Sequence, residues 1–141
     1  MKEVGKVLNL FISKQKCDEI LLDESGVVGD KFYAKEINRS VLLISYESYD
    51  LAKRVGITPD EGSLGENILL SFNPYKLPLG TEIKIADVVL EISQNCTLCN
   101  SLSKVDAKLP KLLKNDRGIF AKVVKGGVIK VNDKIFLKGE N

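Results

Sequence analysis

A mainly β fold of one domain, closed into a barrel or packed as a sandwich with a few short helices, is what this chain predicts, and three observations predict it. Apolar runs are short, rich in β-branched residues and cut by glycine, asparagine and aspartate turns. Helical spacing shows in only two stretches, and no strand-helix alternation repeats as a doubly wound sheet requires. At 141 residues the chain is long enough to bury a core without disulfide or metal staples, and no repeat, linker or low-complexity segment divides it, so residues 1–141 read as a single domain.

Val4 to Ile12, interrupted by Lys6 and Asn9, and Ile20 to Leu22, bounded by acids, read as strands. Gly26-Val27-Val28-Gly29-Asp30 then breaks the pattern: the glycines permit tight backbone paths and Asp30 can hydrogen-bond the turn that follows. The uninterrupted apolar centre of Arg39-Ser40-Val41-Leu42-Leu43-Ile44-Ser45 predicts a strand covered on both faces. From Ser45 to Val55 the period changes. Leu51 and Val55 stand four apart with Ala52 beside them, Ser45 or Ser48 supplies a cap, and Gly56 stops a short helix. Gly62-Ser63-Leu64-Gly65 flexes into the polar pair Glu66-Asn67, directly before the strand Ile68-Leu69-Leu70. Thr81 to Ile85 alternates, Ala86-Asp87 reverses the chain, and Val88 to Ser93 returns as the second arm of a hairpin. Leu102, Val105 and Leu109 recur at helical spacing until Pro110 forces a break or a new first turn, with Leu112 and Leu113 continuing, so two short helical pieces are expected. Gly118 to Val124, Val128 to Val131 and Lys134 to Leu137 read as an antiparallel tail, with Gly126-Gly127 supplying the positive backbone angles of a two-residue turn.

Composition removes several function classes. With 21 basic and 19 acidic side chains the formal charge is +2, and no basic cluster stands out in the linear sequence, so no nucleic-acid surface is expected. There is no histidine, which excludes Ser-His and Cys-His catalytic pairs and imidazole zinc ligands within the chain. Three cysteines cannot all pair, no cleavable apolar leader is present, and no apolar run approaches the roughly 20 residues of a membrane helix. A cytoplasmic location without membrane attachment is the expectation.

The hairpin delivers the chain to Cys96-Thr97-Leu98-Cys99, so two of the three cysteines share one short loop and sulfur chemistry is expected there. A thiol reacts as thiolate, which a helix N-terminus or a nearby lysine favours, and Ser101, Lys104 and Lys108 follow closely. The pair serves as well, on residue type alone, as two small buried hydrophobes or half of a zinc site. Cys17, between Lys16 and Asp18, reads as a third ligand or as an incidental thiol. Arg39 either pairs with Glu47 or Asp50 at the surface or grips a phosphate or carboxylate in bidentate fashion. Glu66 and Asn67 either close their turn through hydrogen bonds to backbone or orient a polar ring system, Asp30 caps its own loop, and Arg117 neutralises Asp116 or joins the site.

Taken in order, Gly29-Asp30-Lys31, Asn38 to Leu43, Gly65-Glu66-Asn67-Ile68, Leu77-Pro78-Leu79-Gly80-Thr81 running through Val89 to Gln94 and on to Cys99, and Arg117 to Val123 with Gly126-Gly127 resemble the signature of MOSC domains, the C-terminal domain of molybdenum cofactor sulfurases. The resemblance runs from about Gly26 to Leu137 and implies a MOSC-type β-barrel with its reactive cysteine at one mouth. It places that cysteine at Cys99, five positions after Gln94, with Cys96 as an extra thiol able to resolve a bond on Cys99. It implies Arg39, Glu66, Asn67, Asp30 and Arg117 as residues that hold an acceptor or a molybdopterin-type cofactor, and Cys99 as the metal ligand wherever molybdenum is bound. The function implied is a sulfur carrier using a Cys99 persulfide, or a molybdenum cofactor binding protein. A cysteine desulfurase, itself a pyridoxal phosphate enzyme, or a molybdoenzyme would be its partner. A binding module that docks a partner enzyme or a small anionic ligand without covalent work is the alternative, and a molybdenum-dependent reductase component acting on N-hydroxylated compounds is a further one. The chain departs from the pattern where relatives carry histidine: Phe32 or Tyr33 follows the Gly-Asp-Lys turn, Asn100 follows Cys99, and Ser103 replaces a second cysteine that some relatives have.

Overall fold

In the computed structural model, which describes residues 1–96 and 105–138, the chain runs β1 (Lys2–Ile12), β2 (Gln15–Cys17), β3 (Glu19–Asp23), β4 (Gly26–Val27), a 3-10 turn (Ile37–Arg39), β5 (Val41–Ser45), α1 (Tyr46–Arg54), β6 (Ile68–Leu70), β7 (Glu82–Ile85), β8 (Val88–Asn95), α2 (Leu109–Leu112), β9 (Ile119–Lys125), β10 (Gly127–Lys130) and β11 (Lys134–Leu137). Among the described residues, seven of these strands close a barrel in the order β11-β7-β8-β9-β5-β6-β1, with β1 returning to β11. β2 extends the wall beside the end of β1, and β10-β3-β4 form a separate small sheet. The mainly β barrel is therefore the architecture the alternating patterns predict.

Alternation fills the barrel. Ile83 and Ile85, Val88, Leu90 and Ile92, Ile119, Ala121 and Val123, and Ile135 and Leu137 all point to one aliphatic interior, while their neighbours along each strand face outward. β5 is buried along its whole length because both faces are covered. Val41 and Leu43 belong to the barrel interior, whereas Leu42 and Ile44 join a second apolar cluster outside it with Phe11, Ala52, Leu64, Leu69, Leu109 and Leu113.

That second cluster exists because β5 and β6 are parallel. Parallel neighbours require a crossover, which here is α1 and the turn before Ile68, and the crossover must bury its apolar side against the outer barrel wall. α1 begins as expected: the Ser45 hydroxyl accepts from the Glu47 N–H at 3.1 Å, Glu47 sits in the first turn and Lys53 and Arg54 in the last, each charge matching the helix dipole. Pro110 takes the second of its two options, standing in the first turn of α2. The helical piece expected around Leu102 lies outside the described residues.

The tail corrects the sequence reading. β9 and β10 do not form a hairpin: β9 pairs with β5 and β8 inside the barrel, whereas β10 leaves it and pairs with β3, Val128 opposite Leu21. Gly126 is not in the positive-φ region that a two-residue turn would demand; Gly127 is, at φ 155°. Gly126 is instead required by crowding, since a Cβ there would collide with the Leu22 carbonyl where the chain passes from one sheet to the other.

Candidate functional site

The outer wall around β5, β8 and β9, roofed by the turn at residues 62–67, α1 and α2, gathers most of the residues singled out in the sequence. Asn67 is the connecting piece. It is 5 % exposed; its Oδ1 accepts from the Leu42 N–H at 3.0 Å, and its Nδ2 donates to the Phe11 carbonyl at 3.3 Å and to Asp30 Oδ1 at 3.2 Å. With both amide hydrogens engaged, Asn67 clamps β5, β1 and the Asp30 loop together. Asp30 is engaged too, accepting from the Ser13 N–H at 2.7 Å through Oδ1 and from the Phe32 N–H at 3.1 Å through Oδ2, so it caps its own loop as expected and also fixes the β1–β2 turn.

Glu66 turns away from Asn67 and into the roof. Its Oε2 accepts from the Tyr49 hydroxyl at 2.6 Å and from the Gly62 N–H at 3.1 Å, closing the turn through backbone. Its Oε1 is buried and meets no hydrogen-bond donor from another residue among the described ones. The side chain is 1 % exposed, and burial pushes its carboxyl above the ordinary carboxylate range, with the Tyr49 bond pulling the other way. Tyr49 itself is raised, chiefly by burial and then by the facing Glu66.

Arg39 ends the 3-10 turn, whose position on β8 is fixed by the Ser93 hydroxyl donating to the Asn38 carbonyl. Its guanidinium lies 4.9 Å from the Phe120 ring centroid, on the outer face of β9, while Asp50 pairs with Arg54 at 2.9 Å. Arg39 is thus held against an aromatic face, and none of the ion pairs among the described residues uses it. Arg117, just before β9, donates from Nη2 to the Pro110 carbonyl at 2.7 Å and so joins the start of that strand to α2.

β8 and β9 stay paired as far as Asn95 opposite Ile119, and the Cys96 N–H donates to the Gly118 carbonyl at 3.2 Å. Cys96 is 5 % exposed within the outer apolar cluster. Cys99, Ser101, Ser103 and Lys104 lie outside the described residues. Cys17, half-buried on β2 with its Sγ 3.3 Å from the Gln15 carbonyl oxygen, packs against the barrel core and so belongs to a different cluster from Cys96. Among the described residues no three acidic or thiol side chains converge as metal ligands would.

Sequence reasoning missed three polar residues beneath this surface. Tyr49 anchors Glu66, and the Tyr75 hydroxyl accepts from the Ser45 N–H at 2.8 Å and lies 2.7 Å from Ser48 Oγ, which donates to the Asp116 carbonyl at 2.6 Å. Together Tyr75 and Ser48 fix the approach to Arg117. Ser48 was visible only as a helix cap, and Tyr75 reaches its partners from 27 and 30 residues away, a separation that leaves no local signal.

Among family models, one described as MOSC domain matches residues 26–136. No curated protein matches the sequence. Among solved structures, the fold is similar to the YUAD protein from Bacillus subtilis, with a TM-score of 0.83 at 18% identity over 95% of this chain and 96% of that one. It is also similar to YiiM from Escherichia coli, TM-score 0.76 at 19% identity over 98% and 71%, and to YiiM from Geobacillus stearothermophilus, TM-score 0.71 at 17% identity over 96% and 72%. Identities this low speak for the fold.

Proposed function

Because the chain belongs to the MOSC domain family, we propose that it carries sulfane sulfur on Cys99 and passes it to an acceptor held beside Arg39. The observation that supports this reading most is the end of the β8–β9 pair. The Cys96 N–H anchors the chain to Gly118, Cys99 follows three residues later, and Arg39 is braced on Phe120, which pairs across the strands with Gln94. A cation there lowers the cost of a thiolate or persulfide anion and grips an anionic acceptor.

The transfer needs no outside oxidant. The Cys99 thiolate attacks the terminal sulfur of a donor persulfide, the donor's S–S bond breaks, and the donor leaves as thiolate while Cys99 becomes the persulfide. In the second half the acceptor's nucleophile takes the outer sulfur and Cys99 returns to thiolate. Asp30 and Asn67, whose polar groups are spent on Ser13, Phe32, Leu42 and Phe11, position the surrounding loops. Cys96, buried at the anchor, would resolve an oxidised Cys99 only after local opening. A cysteine desulfurase fits as donor and a molybdoenzyme as the acceptor's destination.

For a molybdopterin-type group, Arg39 would hold the phosphate, while Glu66, closed into the roof at 1 % exposure, would reach it only after local opening. Arg117 stands at the same end of β9, and Cys99 would offer a soft sulfur ligand to molybdenum. When bound, such a group supplies two-electron redox chemistry at the metal.

Intact-mass spectrometry after incubation with a cysteine desulfurase and cysteine tests the carrier role. One added sulfur on Cys99 is expected, removable by thiol reductant, retained in Cys96→Ser and absent from Cys99→Ser. No sulfur gained on Cys99 would overturn it and leave the reading of a binding module without covalent work.

A further inference from the structure

The linear sequence hides a basic surface that folding assembles. The β1–β2 connection is a two-residue turn, Ile12 opposite Gln15, in which Ser13 and Lys14 both adopt positive φ, 47° and 71°. Such a turn ordinarily takes Asn-Gly, and two L side chains there are held against a local backbone preference. What holds them is the loop after β4: Asp30 Oδ1 accepts from the Ser13 N–H, and the Ser13 hydroxyl accepts from the Lys31 N–H at 2.9 Å. The two turns are therefore one unit. Their segments, residues 13–16 and 29–35, contribute Lys14, Lys16, Lys31 and Lys35, all exposed. The one carboxylate in these segments, Asp30, is 8 % exposed with both oxygens hydrogen-bonded. Set against a total of +2, the rest of the chain carries no net positive charge. Phe32, between Lys31 and Lys35 in sequence, is 55 % exposed, with the Lys31 ammonium 5.0 Å from its ring centroid.

We propose that this paired turn is a docking surface for an acidic segment of a partner protein, with Phe32 as the apolar anchor and Lys14, Lys16, Lys31 and Lys35 as the cationic ring around it. An exposed aromatic set on a pre-ordered loop beside several cations is an arrangement that binding anchors use, because little conformational freedom is left to lose on contact; the exposed Asp18 and Glu36 mark where the basic segments end. The ammonium over Phe32 occupies one ring face, which disfavours base stacking and hence a single-stranded nucleic acid. Four exposed cations on two segments joined by hydrogen bonds suit a carboxylate cluster on a protein. The inference rests on the sulfur-carrier reading only for why a partner should come to this molecule; the surface itself does not depend on Cys99.

The test is a titration of the isotopically labelled chain with a peptide of glutamate and leucine residues, followed by amide shifts, beside oligothymidylate and phosphatidylserine-phosphatidylcholine vesicles. The peptide should move amides of residues 13–16 and 29–35 and bind less tightly as salt rises. Lys14→Glu/Lys31→Glu, and separately Phe32→Ala, should each lower its affinity by about tenfold. Cys99→Ser should bind as the unaltered chain does, which separates this outcome from any failure of sulfur transfer. Shifts elsewhere, affinity indifferent to the charge reversal, or tighter binding of the oligonucleotide or the vesicles at these residues would each overturn the proposal.

Discussion

The barrel interior and the cluster on its outer wall share β5 yet are held by different means. Inside, Val41 and Leu43 belong to a cluster whose buried members are all aliphatic and come from strands that alternate in and out. Outside, Leu42 and Ile44 lie in an apolar cluster whose margins are stitched by buried polar atoms: Asn67 to Leu42, Phe11 and Asp30, Glu66 to Tyr49 and Gly62, and Ser48 to Asp116. The first kind of packing asks for volume and tolerates exchange of one hydrocarbon for another. The second asks for particular atoms at particular places, and it is the region where reactive sulfur, cations and a ligand are proposed to meet. Rigidity imposed by polar atoms at the margins is what such a surface needs.

Volume loss inside the barrel should give the largest effect. Leu90, fully buried on β8, becomes a cavity in Leu90→Ala, at a cost of about 3 kcal/mol in urea unfolding monitored by circular dichroism. Leu90→Met should cost less than about 1.5 kcal/mol, since volume is nearly kept.

Asn67→Leu sharpens the contrast. The side chain keeps its approximate size but leaves the Leu42 N–H, the Phe11 carbonyl and one Asp30 contact without a partner, so about 2 kcal/mol should be lost by the same measurement. If the substitution proved as mild as Leu90→Met, the outer cluster would be ordinary hydrophobic packing and the contrast would fail.

The same contrast explains what could be read from the chain. Alternation in Thr81 to Ser93 and the apolar centre of β5 are local signals, as is the cap of Ser45 on Glu47 two residues on, so the barrel wall and α1 were legible. Asn67 was legible as a candidate, but its partners stand 25, 37 and 56 residues away, and only the closed barrel brings them within reach. The lysines escaped notice for the same reason: Lys14 and Lys31 become neighbours only through Ser13 and Asp30. The expected hairpin of β9 and β10 failed because two glycines after a strand suit a tight turn and a close crossing equally, and here the crossing past Leu22 uses them.

The smallest effect is one of pH, and it belongs to the outer region alone. Burial raises the Glu66 carboxyl above its ordinary value of 4.5, so in the window just above that value the folded chain holds a proton that the unfolded chain has released. Stability from this group is therefore full below the unfolded-state value and declines as pH rises through the window up to the raised folded-state value. Glu66→Gln mimics the neutral acid and cannot release a proton, yet it keeps an oxygen for the Tyr49 hydroxyl and the Gly62 N–H. Urea unfolding across mildly acidic to neutral pH should show the decline in the unaltered chain and a flatter profile in Glu66→Gln, with the variant gaining on the parent toward neutral pH. Parallel profiles would mean that the carboxyl ionises in the folded state as freely as in water, and that its Oε1 is better solvated than the roof of the site allows.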